Sequence, residues 1–173
     1  MVTIVSGTNR KGSNTKKVAL QYQHILQQKG IKAGLFSLED IDVMHYDAAF
    51  QQIEAELIIP TTHFIFIVPE YNGSYPGVLK MFFDTSSSHS IWFHKKALLT
   101  GIATGRAGNL RGLDHLADVL HYLKFTIHPD KLPISSVHQL LDEEAEIIDE
   151  GTLAAINTQL DDFIAWAGLG NEK

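Results

Sequence analysis

The chain has no cysteine. Disulfides, thiolate zinc sites, cysteine-ligated iron–sulfur clusters and cysteine nucleophiles are therefore excluded, and a reducing compartment is in keeping with this. Long hydrophobic runs are missing too. No stretch approaches the roughly 18 apolar residues of a membrane span. The start, Met1-Val2-Thr3-Ile4-Val5, enters an apolar run with no basic leader. Neither a signal peptide nor an anchor is expected, and the cytoplasm is the default location. There is no block of Lys or Arg, and the formal charge is −6, which argues against nucleic-acid binding by bulk charge. Six acids fall between Asp142 and Glu150, and outside that stretch basic and acidic residues are equal at 14 each. The acidity is local and reads as a solvated loop, with Asp149 and Glu150 near the start of the last helix. Nine histidines are scattered without a His-Glu-x-x-His or comparable pair, so no metal site is expected.

What remains is 173 residues, 45% apolar and 20% charged, the balance of one globular domain spanning residues 1–173. Short apolar runs alternate with segments of helical period. Strands are expected at Val2–Ser6, Ile31–Leu38, His63–Val68 and Ala97–Ala103, with a fifth at Phe125–His128 extended by Leu132–Val137. Helices are expected at Ser13–Lys29, Asp47–Leu57, Pro76–Thr85, Leu110–Leu123 and Thr152–Ala167. Their apolar residues recur at spacings of three and four. The run His63–Val68 is apolar almost throughout, as a central parallel strand covered on both faces requires. Strict alternation means an α/β fold, a parallel sheet with helices on both sides. At this length the expectation is a three-layer flavodoxin-like fold with a five-stranded parallel sheet in the order 2-1-3-4-5. Ligands then bind at the carboxyl edge, beside the switch between strands one and three.

Three loops reach that edge. The first, Gly7 to Thr15, offers hydroxyls, backbone N–H groups and the Arg10 guanidinium at a helix start. That chemistry suits a phosphate monoester; the same residues would also serve as an ordinary Ser/Asn helix cap. The loop is neither a P-loop nor a G-x-G-x-x-G turn. The second, Pro69 to Gly77, holds two prolines and two glycines in nine residues. It is either an elaborate turn or a frame that aims backbone groups at a planar ligand, with Tyr71 and Tyr75 as aromatic surface. The third, Ala103 to Asn109, has two glycines that permit close backbone approach, and Arg106 and Arg111 add positive charge nearby.

Together these loops resemble those of the NAD(P)H-dependent FMN reductase family, the small flavodoxin-like flavoproteins that include quinone, azo-dye and chromate reductases. Gly7, Thr8, Arg10 and Ser13 match a Gly-Ser-x-Arg-x-x-Ser-type loop with Thr for Ser, and Pro69 to Gly77 matches Pro-Glu-Tyr-Asn-x-Ser-x-Pro-Gly in full. The resemblance runs from Thr3 to about Pro133. It implies FMN as cofactor and NADPH or NADH as electron donor. Thr8, Arg10, Ser13, Asn14 and Thr15 would hold the phosphate. Pro69, Glu70, Tyr71, Asn72 and Gly73 would line the isoalloxazine, and Thr104 and Gly105 would approach it from the other side. No catalytic side chain is implied, because the cofactor carries the hydride step. Loop-three N–H groups, helped by Arg106, would stabilise charge on the reduced ring. Glu70 reads as a surface or turn-stabilising carboxylate. Two departures fall where acceptors would enter: Asp84 is followed by Thr85-Ser86-Ser87-Ser88 instead of Trp, and Arg106 and Asn109 stand where many relatives have glycine.

The implied activity is two-electron reduction of a small-molecule acceptor such as a flavin, quinone or azo compound. The alternative is a flavodoxin-like electron carrier with no nicotinamide-dependent activity, which usually carries stronger negative charge. Neither nucleic acid nor membrane is an expected partner. A homodimer or homotetramer is expected from the family resemblance and from Ile91, Trp92 and Phe93. Set at the sheet's carboxyl edge, these three would expose an apolar patch near the flavin; otherwise they fold back on their own core.

Overall fold

The computed structural model describes residues 1–144 and 146–170. Its strands are β1 (Val2–Ser6), β2 (Ala33–Ser37), β3 (His63–Pro69), β4 (Lys96–Ile102), β5 (Thr126–Ile127) and β6 (Leu132–Ile134). Its helices are α1 (Asn14–Gln28), α2 (Ala48–Ile53), α3 (Gly77–Asp84), α4 (Leu110–Tyr122) and α5 (Glu150–Ala167). The sheet is parallel in the order β2-β1-β3-β4-β5, and β6 also pairs with β4. Five strands thus stand in the expected order. The sixth arises because the fifth position is filled by two short pieces in series. β5 pairs with Lys96 and Ala97, and β6 pairs with Thr100 to Ile102. Between them Pro129 has no N–H to give the ladder, and the chain leaves the sheet before returning.

Side chains alternate across β3 and divide the core in two. Phe64, Phe66 and Val68 pack with Phe82, Leu113, Leu116 and Leu120, on the face covered by α2, α3 and α4. Ile65 and Ile67 pack with Val18, Tyr22, Leu26, Leu160 and Phe163, under α1 and α5. Both faces of β3 are dry, which is why its sequence shows no polar alternation.

The helix ends are set by their caps. Ser13 Oγ accepts from Lys16 N at 3.2 Å and opens α1. Asp47 accepts from Phe50 N at 2.9 Å and opens α2. Asp149 accepts from Thr152 N at 2.7 Å and opens α5. The acidic stretch therefore supplies a helix cap, with Ala145 outside the described residues. α2 ends earlier than expected and widens into a π-helical turn, Glu54–Ile58. There the buried Glu54 carboxylate accepts from Ser87 N, Ser87 Oγ and Tyr46 OH.

The expected apolar patch is not formed. Ser86–His94 lies after α3, where the chain returns to begin β4, so it sits at the amino edge and not the carboxyl edge. Trp92 is fully buried, 4.9 Å from Phe83 and 5.4 Å from Phe82 between ring centres, and its Nε1 donates to Ser86 Oγ at 3.0 Å. Ile91 and Phe93 are half-buried. The segment completes the core instead of offering an anchor.

Candidate active site

The three carboxyl-edge loops are positioned by backbone and side-chain bonds that cross from one to the next. The first leaves β1 at Gly7, whose N–H donates to Ile67 O at 2.9 Å. Thr8 is buried. Its Oγ1 accepts from Arg10 N at 3.3 Å and shares a 2.7 Å hydrogen bond with Tyr71 OH. The Arg10 guanidinium lies over the Tyr71 ring, 5.0 Å from its centre. This side chain therefore stands between the phosphate-type loop and the second loop. Beyond it α1 begins, and the first N–H groups of a helix have no partners within the helix. Ser13 satisfies that of Lys16. The remaining donors and the positive dipole end favour an anion.

The second loop is a two-residue hairpin. Tyr71 N donates to Ser74 O at 2.8 Å and Ser74 N to Tyr71 O at 3.1 Å. Asn72 and Gly73 occupy the tip with φ of 52° and 76°, the left-handed pair that an Asn-Gly turn supplies at small steric cost. Ser74 Oγ is 2.9 Å from His115 Nδ1 on α4. The base of the hairpin is pinned by Glu70 N to Ile102 O, 2.9 Å. Glu70 turns its carboxylate to Asn109 N at 3.2 Å, which makes it the turn-stabilising carboxylate expected. The third loop is held from beneath by the end of β6 and the segment after it. Ala103 N donates to Ile134 O, Val137 N to Ala103 O and Ser136 N to Gly105 O, each at 3.0 Å.

A cavity of about 530 Å³ opens between the three loops, within the range of small-molecule sites. Arg10, Ser13, Asn14 and Thr15 wall it on one side, Pro69, Glu70, Tyr71 and Asn72 on another, and Thr104 on the third. Three expected residues stand behind the wall. Thr8 lies under Tyr71, Gly73 is at the hairpin tip beside Arg111, and Gly105 is past the turn with its carbonyl on Ser136 N. Gly12, Ile102, Ala103 and Val137 also line the cavity and were not among the expected residues. Ile102 ends β4 and Ala103 follows it at the strand's C-terminus facing the site, a signal present in the sequence. Val137 arrives from a distant segment with no local mark. Arg106 is exposed and does not line the cavity, whereas the Arg10 guanidinium does. Among the described residues no group of three His, Cys, Asp or Glu comes together as metal ligands, and no helix is long and apolar enough to cross a membrane.

The donor set fits a flavin mononucleotide: an anion seat at the α1 start, then a slot bordered by backbone, Tyr71 and short polar side chains. Comparison with known proteins agrees. The chain is 26% identical to a 2-hydroxy-1,4-benzoquinone reductase of Burkholderia sp, over 95% of this chain and 94% of that one. It is 30% identical to a quinone reductase of Escherichia coli K12, over 94% and 92%. Its fold superposes on FerB, a flavoenzyme NAD(P)H:(acceptor) oxidoreductase from Paracoccus denitrificans, with a TM-score of 0.80 at 22% identity, covering 95% of each chain. The family model described as NADPH-dependent FMN reductase matches residues 1–139, and the chain belongs to that family.

Proposed function

We propose that the 530 Å³ cavity is the FMN site of an NAD(P)H-dependent reductase whose acceptors are quinones or similarly planar small molecules. The observation that carries this reading is the meeting, in one cavity, of a donor-rich helix start bearing Arg10 with the Pro69–Asn72 backbone and Thr104. Arg10, Ser13, Asn14 and Thr15 would bind the phosphate through one charge-assisted contact and several N–H and O–H donors. Pro69, Glu70, Tyr71, Asn72 and Gly73 would border the ring on one side, and Thr104 and Gly105 on the other. Thr8 acts beneath them by fixing Tyr71. When bound, FMN supplies the chemistry, accepting hydride from a nicotinamide and passing two electrons to the acceptor. The protein would orient the ring and offer backbone and hydroxyl donors to its polar edge.

The electron-carrier alternative is disfavoured by the family match and by quinone reductases 30% identical over nearly the whole chain. A homodimer or homotetramer in the cytoplasm completes the proposal. It now rests on family resemblance and on Leu110 and Tyr122, which expose 49% and 76% of their surface on α4. The test is anaerobic addition of NADPH or NADH to the yellow protein. Bleaching by either nucleotide, reversed by a benzoquinone, is expected. A flavin unaffected by both would move the chain to the electron carriers.

A further inference from the structure

Asn109 is built against its own comfort. It opens α4 in the left-handed region, at φ 66°, and is wholly buried. Its Oδ1 is buried with no hydrogen-bond partner among the described residues. That oxygen is pressed so close to Gly112 that a Cβ there would stand 2.0 Å from it. The orphaned buried oxygen costs stability, and the left-handed φ adds a small cost that Asn bears better than most non-glycine residues. Glycine would remove both costs at once. Such strain persists where surrounding structure enforces it, and it clusters at working sites.

The other groups of Asn109 show what the strain secures. Nδ2 donates to two successive carbonyls, Val68 O and Pro69 O, each at 3.0 Å, and its backbone N–H donates to Glu70 Oε2 at 3.2 Å. Three consecutive residues at the end of β3 are thus tied to one residue of the third loop. Proline at 69 has no N–H of its own for the ladder, so this clamp fixes the peptide planes where β3 turns into the Tyr71–Ser74 hairpin. Pro69 to Asn72 are also the cavity wall.

We infer that Asn109 is a positioning residue for the ring half of the FMN site: it holds the Pro69–Glu70 backbone in the flavin-competent shape without touching the ligand. The inference rests on the proposed FMN reading and adds to it a residue outside the cavity wall. Loss of the clamp lowers the fraction of protein in the competent shape, and apparent affinity falls by that fraction. The loss is blind to the phosphate, because the clamp serves the second loop and not the first.

The test is Asn109→Gly, which suits the positive φ and deletes the side chain. Protein freed of flavin is titrated with FMN and with riboflavin, and its melting temperature and amide exchange are followed. Both ligands are expected to weaken by the same factor, about tenfold for two lost hydrogen bonds. Amides of Glu70, Tyr71 and Ser74 should exchange faster while those of α1 do not. The melting temperature should hardly move, since relief of strain offsets the lost bonds. Unchanged affinity for both flavins, or a lower melting temperature with affinity intact, overturns the inference and leaves the FMN reading standing. Wild-type protein that binds neither flavin overturns the reading, and the inference with it. If Asn109→Gly does not fold, Asn109→Asp tests the same clamp, because it keeps the side chain's size and replaces the Nδ2 donor facing Val68 O and Pro69 O with an oxygen. Equal weakening of both flavins supports the inference, and weakening of neither overturns it.

Discussion

Single residues at the two edges of the sheet do different work. At the carboxyl edge Thr8, Tyr71 and Arg10 form a chain from the first loop to the second, through a 2.7 Å hydrogen bond and a guanidinium 5.0 Å above a ring. At the amino edge the charged residues serve the fold. The Lys95 ammonium donates to Ile58 O, Ile59 O and Thr61 O, closing the end of the π-helical turn. His63 begins β3, where burial, with the Lys96 charge and the N-terminus behind it, pushes its pKa below the ordinary 6.5. A base with a lowered folded-state pKa binds fewer protons folded than unfolded just below its ordinary value. Stability is therefore at its full value above pH 6.5 and declines as pH falls through the window beneath it. His63→Gln has no such proton to take up. Urea midpoints measured from pH 7.5 to 5 should fall less steeply in the variant than in wild type. Parallel slopes would show that His63 does not titrate differently in the two states.

Among the elements, strands β1 to β4 and the helices between them were legible because period and burial agree. β3 is apolar on both faces, and α1 carries its Ser13 cap and its apolar stripe in plain view. The Pro69–Gly77 block was legible as a carboxyl-edge loop, but not as an Asn-Gly hairpin, because its prolines and glycines suggest irregularity before they suggest a turn type. Two elements were not legible for physical reasons. The break between β5 and β6 depends on whether β4 can bridge past Pro129, which is a matter of pairing and not of local pattern. Ile91-Trp92-Phe93 reads equally as patch or core until α3 is seen to carry the chain back to the amino edge. The Asn109 clamp joins residues about forty positions apart, and no spacing rule announces it. With Trp92 fully buried among Phe64, Phe82, Phe83 and Phe125, Trp92→Ala should cost about 3–5 kcal/mol of stability. It should leave the association state unchanged. Chemical denaturation and light scattering check both, and a stable variant that dissociates would return Trp92 to an interface.

At the scale of the whole molecule, sheet order is what makes the site. Reversal of winding between β1 and β3 opens a crevice at their carboxyl ends, and β4 with the segment after β6 supplies its far wall. Arg10 and residues 12 to 15, 69 to 72 and 102 to 104 meet there because β1, β3 and β4 are neighbours. On the proposed reading the labour divides: the first loop would read the phosphate, and the second and third loops would read the ring. One titration tests that division most directly. Wild type and Arg10→Ala, both freed of flavin, are titrated with FMN and with riboflavin. Loss of a charge-assisted contact of roughly 1.5–3 kcal/mol should weaken FMN about 10- to 100-fold and leave riboflavin binding where it was. Equal weakening of both flavins, or no weakening of either, would contradict the placement of the phosphate on the first loop.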